Sequence, residues 1–252
     1  MVRTEFDRDQ FDEAYPPGIE RSWWNLARNH VIRRAFTQHV PADAKVLEVG
    51  CGPGIVTAHL RSAAWDVTGV DLGSPLARGV LAGDHLMLGT NALELPAGVR
   101  DRFTALALFD VIEHVSDAPS FLTALMKAFP NVRQVVVTVP ARQELWTSFD
   151  DHYGHFRRYD RRMLRMEFAA VGLHPERIDY FFHGLYPAIA INNVFRGRTR
   201  AIRFDPPRPG FQSWIHAVIA SAFAAESRLF PGSWVGSSIL GIAQVPRNLT
   251  GG

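Results

Sequence analysis

The chain has 252 residues, of which 47% are hydrophobic and 21% charged, and its formal net charge is +2. This composition predicts a folded protein with one sizeable core, and the charge is too nearly balanced to indicate nucleic-acid binding by itself. Cys51 is the only cysteine in the sequence, which excludes an intramolecular disulfide and a cysteine metal cluster. The charged N-terminus and the lack of a long apolar run predict a cytoplasmic protein without stable membrane insertion.

Helices and strands alternate along the chain. Residues 18–40 predict a helix, because apolar residues recur there at approximately helical spacing. A first strand at 45–49 is followed by a helix that runs to about Ser62, and a second strand at 65–71 ends at Asp71. Further strands are predicted at 85–89, 103–110, 132–140, 176–182 and 237–245, with helices at 118–129 and 161–173.

Strands separated by helices predict an α/β fold with a doubly wound, mostly parallel sheet that is covered by helices on both faces. Residues 183–234 interrupt the alternation with an arginine-rich, proline-broken stretch at 195–210 and an apolar helix at 214–226. We expect them to form a helical insertion before the last strand. The apolar helix is interpreted as a core or lid helix, and contact with a membrane surface is the alternative. The expected organisation is an N-terminal helical lid segment at 1–40, a ligand-binding domain at 41–182 and 235–247, and a helical cap at 183–234.

The stretch "VLEVGCGPGIV" carries the first functional signal. A strand runs into Gly50, Gly52 and Gly54, and an acid, Glu48, stands where an apolar residue would be expected. Glycines at the carboxyl end of a parallel strand let a ligand approach the backbone. Their spacing differs from the G-x-G-x-x-G fingerprint, which argues against NAD and FAD.

Four further stretches follow in order: "TGVD", which ends at Asp71, "NALELP", "LFDVIEHVSD" and "DDHYGHFRRYDRRML". Together with the glycine loop, they resemble the motifs of the class I S-adenosylmethionine-dependent methyltransferases. The resemblance covers roughly residues 31–182, and the fifth stretch is similar to a branch with ubiquinone-type and other small-molecule O-methyltransferases. It implies a Rossmann-like methyltransferase fold and S-adenosyl-L-methionine as cofactor.

The residues also suit that ligand chemically. The cofactor is a sulfonium cation without phosphate, so carboxylates are expected around it, and acids stand at three successive strand ends. The resemblance implies that Asp71 holds the ribose hydroxyls, Asn91 flanks the adenine, Asp110 lies near the methionyl group and Arg28 reaches the cofactor carboxylate. The predicted cofactor-binding set is Glu48, Gly50, Cys51, Gly52, Gly54, Asp71, Leu72, Asn91, Ala92, Asp110 and Arg28.

Methyl transfer to a hydroxyl needs a positioned acceptor and a base. The candidate bases are His152, His114 and His155, with Tyr153 as a positioning residue. A structural role for His114 and His155 and a reaction without a protein base stay open. So does metal assistance from the "DDH" at 150–152 with Glu113 and His114, although no metal site is assigned because the ligand spacing is not fixed.

The arginines and aromatic residues indicate what kind of acceptor the protein could bind. One interpretation is an anionic acceptor with an apolar part, and the alternatives are a solvated basic surface and a homodimer interface. We therefore predict transfer of a methyl group to a hydroxyl of a small molecule, such as a phenol, a sugar or a natural-product intermediate, with no nucleic-acid partner. The alternatives are a nucleic-acid or protein methyltransferase that uses the arginine-rich insertion, and a non-catalytic cofactor-binding protein. The arginines form two groups, Arg157, Arg158, Arg161, Arg162 and Arg165, and Arg196, Arg198, Arg200 and Arg203.

Overall fold

A computed structural model of the chain describes residues 13–73, 83–200 and 205–246. Within them, seven strands form one sheet in the order β3-β2-β1-β4-β5-β7-β6. The first five strands run parallel, and β7 is antiparallel to both of its neighbours. The strands are Lys45–Val49 (β1), Asp66–Asp71 (β2), Leu86–Leu88 (β3), Ala105–Phe109 (β4), Gln134–Pro140 (β5), His174–Phe181 (β6) and Ser238–Gln244 (β7).

The α-helices connect these strands and cover the sheet. Several begin at a side chain that caps the helix: the Ser22 hydroxyl accepts from the Asn25 N–H, and Asp117 and Asp160 cap two later helices in the same way. The helices are Trp23–His39 (α1), Ile55–Ser62 (α2), Ala97–Arg100 (α3), Ala118–Ala128 (α4), Ser148–His152 (α5), Arg161–Ala170 (α6), Leu185–Arg196 (α7) and Phe211–Leu229 (α8).

Two apolar cores lie on opposite faces of the sheet. Successive residues of β5 belong to different cores: Val135 and Val137 pack in the core that contains Phe168 of α6, whereas Val136 packs in the core that contains Phe36 of α1. Successive residues of a strand point to opposite faces, so a strand buried on both sides must be apolar throughout. This explains the β-branched run in the sequence of β5.

The strand order reverses between β1 and β4, because β2 lies on one side of β1 and β4 on the other. Open parallel sheets bind ligands beyond the carboxyl ends of the strands at this point. Glu48 pairs in register with Gly69 of β2 and Ala107 of β4, which brings the ends of the three strands together.

The predicted doubly wound fold is confirmed, and two details differ from expectation. The fourth strand ends at Phe109, and Asp110 adopts a left-handed φ of 56°, so the turn begins one residue earlier than predicted. The apolar helix expected at 214–226 is longer in the structure, where α8 runs from Phe211 to Leu229, and α7 adds a second helix to the expected helical insertion. Residues 1–12 of the expected lid segment lie outside the described part of the chain.

Candidate active site

The glycine loop after β1 has an unusual backbone. Gly50, Gly52 and Gly54 all adopt left-handed conformations, with φ of 74°, 54° and 84°. A Cβ atom on Gly50 would lie 2.6 Å from Cγ2 of Val111, in the loop after β4. The loop therefore requires glycine at this position for both conformation and space. Cys51 is buried and packs against Gly69, which is consistent with a structural role.

Asp71, at the end of β2, is tied to the glycine loop. The Gly52 N–H donates to its Oδ2 at 2.7 Å, and the Gly73 N–H donates to its Oδ1 at 2.6 Å. Burial raises the pKa of Asp71, although these two hydrogen bonds oppose the shift. The carboxylate is thus held at the edge of the site, and Leu72 beside it is 37% exposed.

Glu48 is buried behind the loop, with the Thr57 hydroxyl of α2 donating to its Oε2. Burial raises the pKa of Glu48 to about 7, while Thr57 and Arg28 partly offset the effect. The carboxyl group is therefore poised to change its charge near neutral pH.

Asp110, just beyond β4, forms an ion pair with Arg28 of α1. The Thr138 hydroxyl of β5 donates to Asp110 Oδ1 at 3.2 Å, and the Arg28 guanidinium lies 4.5 Å from the centre of the Trp24 ring. The structure thus places Arg28 of α1 beside Asp110 at the carboxyl end of β4. The contact of Arg28 with the cofactor carboxylate stays a prediction.

Asn91 and Ala92 lie after β3. The Asn91 side chain caps the short 3₁₀ helix Ala92–Glu94, accepting from the Leu93 N–H at 3.1 Å and donating to Glu94 Oε1 at 3.1 Å. Ala92 is buried. Both lie after a strand that neighbours β2, and the adenine role predicted for them stays a prediction.

Tyr15 belongs to the site although no sequence motif marks it. A Cβ atom on Gly52 would lie 3.1 Å from Tyr15 Cζ, so the ring covers the glycine loop. Burial raises the pKa of the Tyr15 hydroxyl well above its usual range, and the charges of Arg28, Asp71 and Asp110 act on it as well. No spacing rule links residue 15 to a loop 37 positions away, so only the tertiary structure reveals this contact.

Asp150 organises the loop after β5. Its carboxylate is fully buried and accepts from Arg158 Nε at 2.7 Å and Nη2 at 3.1 Å, and it lies 2.9 Å from His155 Nδ1. Burial alone would raise the pKa of Asp150, but the bonds from His155 and Arg158 outweigh it and lower the pKa to about 2. Asp150 is therefore ionised and holds His155 in a fixed orientation.

The rings of His114 and His155 contact each other edge to face, with ring centres 4.6 Å apart. Burial lowers the pKa of His114 to about 3, and the neighbouring His155 ring contributes to the shift. Burial also raises the pKa of Glu113 well above its usual range, and the charge of Asp110 adds to it. Because the pKa of His114 is about 3, its ring is uncharged at neutral pH.

Glu113, His114 and His155 are the residues that could hold a metal ion in the described part of the chain, with ligand atoms within 4.8 Å of one another. This set shares Glu113 and His114 with the metal alternative predicted from the sequence, but it contains His155 in place of the "DDH" at 150–152. Asp150 is engaged by Arg158, and Asp151 accepts from the Trp146 indole N–H at 2.9 Å, so the "DDH" carboxylates serve local structure.

His152, at the end of α5, is partly exposed, and its Nε2 lies 3.3 Å from Glu13 Oε2. Tyr153 follows it, with the two ring centres 4.9 Å apart, and burial raises the Tyr153 pKa. His152 thus contacts Glu13 of the N-terminal segment. Glu13 is two residues from Tyr15, which covers the glycine loop.

The first arginine group is largely engaged within the fold. Arg158 is buried against Asp150, Arg157 pairs with Glu167, and Arg161 donates to the Ile178 carbonyl oxygen at 2.7 Å. These contacts engage three of the five side chains within the fold and argue against acceptor binding by them.

Comparison with known proteins decides the family. The family described as "Methyltransferase domain" matches residues 25–177, more than half of the chain. The chain belongs to this methyltransferase family. Membership confirms the class I assignment made from the motifs, and with it S-adenosylmethionine as the cofactor of the class. The left-handed glycines and the carboxylate that they hold fit a ligand that lies close to bare backbone.

Curated relatives of the methyltransferase domain are similar over part of their length. A ubiquinone biosynthesis O-methyltransferase from Pseudomonas fluorescens is 33% identical over 94 residues, which cover 34% of this chain and 40% of the relative. One from Coxiella burnetii is 27% identical over 131 residues, 46% of this chain and 56% of that protein. The chain therefore spans about half the length of the curated relatives that it matches.

Solved structures share the fold at low identity. Phosphoethanolamine N-methyltransferase 2 of Haemonchus contortus, in complex with S-adenosyl-L-methionine, has a TM-score of 0.56 and 14% identity, covering 97% of this chain and 61% of that one. A putative methyltransferase in complex with the Haloferax volcanii Trm112 methyltransferase activator has a TM-score of 0.55 and 14% identity, covering 98% of this chain and 100% of that one.

In the residues that the structure describes, no helix combines the length and apolarity needed to cross a membrane.

Proposed function

We propose that the protein transfers a methyl group from S-adenosylmethionine to a hydroxyl group of a small molecule, with His152 as the base. The observation that carries this proposal is the N-terminal segment, in which Glu13 contacts His152 while Tyr15 covers Gly52. Glu13 and Tyr15 are two residues apart, so their Cα atoms are separated by at most about 7 Å. Because these two residues contact the candidate base and the glycine loop, the base and the loop face the same space.

In this proposal the cofactor lies across the carboxyl ends of β1, β2 and β4. Asp71 accepts hydrogen bonds from the ribose hydroxyls, since its oxygens, held by Gly52 and Gly73, have further lone pairs to offer. Asn91 and Ala92 flank the adenine, and Glu48, Asp110 and Arg28 surround the methionyl end. When bound, the cofactor supplies a methyl group already activated on a sulfonium.

The other step of the reaction is removal of a proton from the acceptor. A neutral hydroxyl must lose its proton as it is methylated, and a positioned base accelerates this step. His152 is partly exposed and is held by Glu13, so it can reach an acceptor. His114 is a weaker candidate because a group with a pKa of about 3 has little affinity for a proton at neutral pH. We place His155 and Tyr153 as positioning residues, because Asp150 fixes one and burial encloses the other.

The similarity to relatives named ubiquinone biosynthesis O-methyltransferase supports a hydroxyl acceptor. The test is transfer of labelled methyl from S-adenosylmethionine to panels of phenols, catechols, sugars and amines. We expect methylated hydroxyl compounds. Methylation of amines alone, or of none of the compounds by protein that binds the cofactor, would contradict the proposal.

Cofactor binding is tested separately by calorimetry with S-adenosylhomocysteine. We expect Asp71→Ala to weaken binding about 100-fold, because two hydrogen bonds to a charged group are lost. Asp66→Ala is the matched control, since Asp66 is an exposed acid at the start of the same strand. Equal affinities for the two variants would exclude Asp71 from the site.

A further inference from the structure

The helix α8 is apolar on its outer side as well as its inner side. On the inner side Ala220 is fully buried, and the Phe223 ring stacks 5.2 Å from Trp23 of α1. On the outer side Phe211 is 73% exposed and Trp214 61% exposed. Ile215 and Val218 continue this side at spacings of three and four residues and are also exposed. A helix that covers a soluble core normally presents polar residues to solvent, so the outer side is unexplained by the fold.

The helix α7 has the same property. Ile191, Val194 and Phe195 are exposed and share one side of the helix, and Phe195 is 81% exposed. The Gly184 N–H, just before α7, donates to Glu226 Oε1 near the end of α8 at 2.7 Å, so the two helices meet there. Aromatic residues also follow α8, where Phe230 and the exposed Trp234 stack with ring centres 5.4 Å apart.

Arginines accompany these apolar residues. Residues 183–234 contain six arginines, no lysine and two acids, Asp205 and Glu226. Arg196, Arg198 and Arg208 are exposed. The apolar–arginine face, defined here as the outer sides of α7 and α8 with Arg196, Arg198 and Arg208, thus combines exposed aromatic rings with an excess of positive charge.

We propose that the apolar–arginine face binds the surface of an anionic lipid bilayer. Aromatic and aliphatic side chains on one side of a helix enter the boundary between head groups and acyl chains, and arginines pair with lipid phosphates. The charge of the face complements an anionic surface. A two-fold contact with a second copy would instead bring together two surfaces that both carry an excess of positive charge.

This face is joined directly to the loop that carries His152. The Ser148 N–H, at the start of α5, donates to the Arg198 carbonyl oxygen at 2.9 Å, and the Arg200 N–H donates to Ser148 Oγ at 3.0 Å. The Arg200 guanidinium lies 4.7 Å from the centre of the Phe149 ring. If the proposed function holds, membrane binding places the acceptor loop beside the bilayer, which suits an acceptor with an apolar part.

Co-sedimentation of the full chain with vesicles tests the proposal without any need for a methyl acceptor. We expect binding to phosphatidylglycerol–phosphatidylcholine vesicles that weakens as salt is added, and much weaker binding to pure phosphatidylcholine. Phe211→Ser combined with Trp214→Ser should weaken binding about tenfold or more, because two large apolar groups are removed. Met166→Ser, at a residue of α6 that is 59% exposed, is the matched control and should bind as wild type does.

The charge is tested in parallel. Arg196→Gln with Arg198→Gln should lower the affinity about fivefold per arginine, whereas Arg162→Gln with Arg165→Gln, on α6, should have little effect. Circular dichroism establishes that each variant is folded. Folded wild type that stays in the supernatant with anionic vesicles would overturn the proposal. So would a dimer in analytical ultracentrifugation that the Phe211→Ser, Trp214→Ser variant converts to a monomer, or saturable RNA binding without vesicle binding.

Discussion

Glu13 and His152 are 139 positions apart in the sequence, yet Oε2 of the first lies 3.3 Å from Nε2 of the second. The two side chains are equally accessible, with 28% of each exposed. Tyr15, two residues from Glu13, covers Gly52 of the glycine loop. One short segment therefore contacts the acceptor loop and the cofactor loop, and a change at its residues should affect both binding and catalysis.

The first prediction concerns His152. His152→Ala should lower kcat for hydroxyl methylation about 10²- to 10⁴-fold, because the base is lost, while the affinity for S-adenosylhomocysteine stays near the wild-type value. Glu13→Gln should cost less, about fivefold in kcat, since one hydrogen bond to the ring is weakened. Labelled-methyl transfer and calorimetry measure the two effects. His174→Ala, at an exposed histidine of β6, is the control, and a wild-type kcat for His152→Ala would remove this residue from the mechanism.

The second prediction concerns Gly50. Gly50→Ala should destabilise the fold by about 1–3 kcal/mol through its left-handed backbone alone, with a further cost from the contact with Val111. Gly98→Ala is the matched control. A Cβ atom there meets nothing within 4 Å, and alanine favours the helix α3, so we expect unchanged or slightly higher stability. Thermal unfolding of both variants measures the difference, and equal melting temperatures would contradict the strain inferred for the loop.

The third prediction is a pH dependence from Glu48. Its pKa rises from 4.5 in the unfolded chain to about 7 in the fold, so the unfolded chain loses its proton first as pH rises. Stability should therefore fall between pH 4.5 and 7, by about 3 kcal/mol in the limit of this single group. Glu48→Gln removes the effect, so the variant should gain stability relative to wild type across this range. Urea unfolding at a series of pH values tests it, and a constant difference between the two proteins would refute it.

The fourth prediction concerns the buried pair of Asp150 and Arg158. Arg158→Leu leaves a buried carboxylate without its main cation and should cost about 3–5 kcal/mol. The lowered pKa of Asp150 means that its contribution in wild type is complete above pH 3.8 and is lost as pH falls through about 2. Acid and urea unfolding measure both effects. Arg162→Leu, at an exposed position of the same segment, should change stability by less than about 0.5 kcal/mol, and a similar small change for Arg158→Leu would contradict the role of the pair.

Local patterns along the chain predicted the sheet, the glycine loop and the family. Strand and helix periodicity is a local property, so β1, β2 and β5 could be predicted from neighbouring residues alone. The loop from Gly50 to Gly54 could be predicted for the same reason, since a bare backbone needs glycine whatever packs on it.

Which side chains meet depends on how distant parts of the chain pack together. The contacts of Tyr15 with the glycine loop and of Glu13 with His152 join distant parts of the chain, and no spacing in the sequence encodes them. The shifted pKa values of Glu48 and His114 arise from burial, which depends on elements folded over them. The sequence left two environments open for α8, a buried position and a membrane surface, and the packing shows that one side of the helix is exposed.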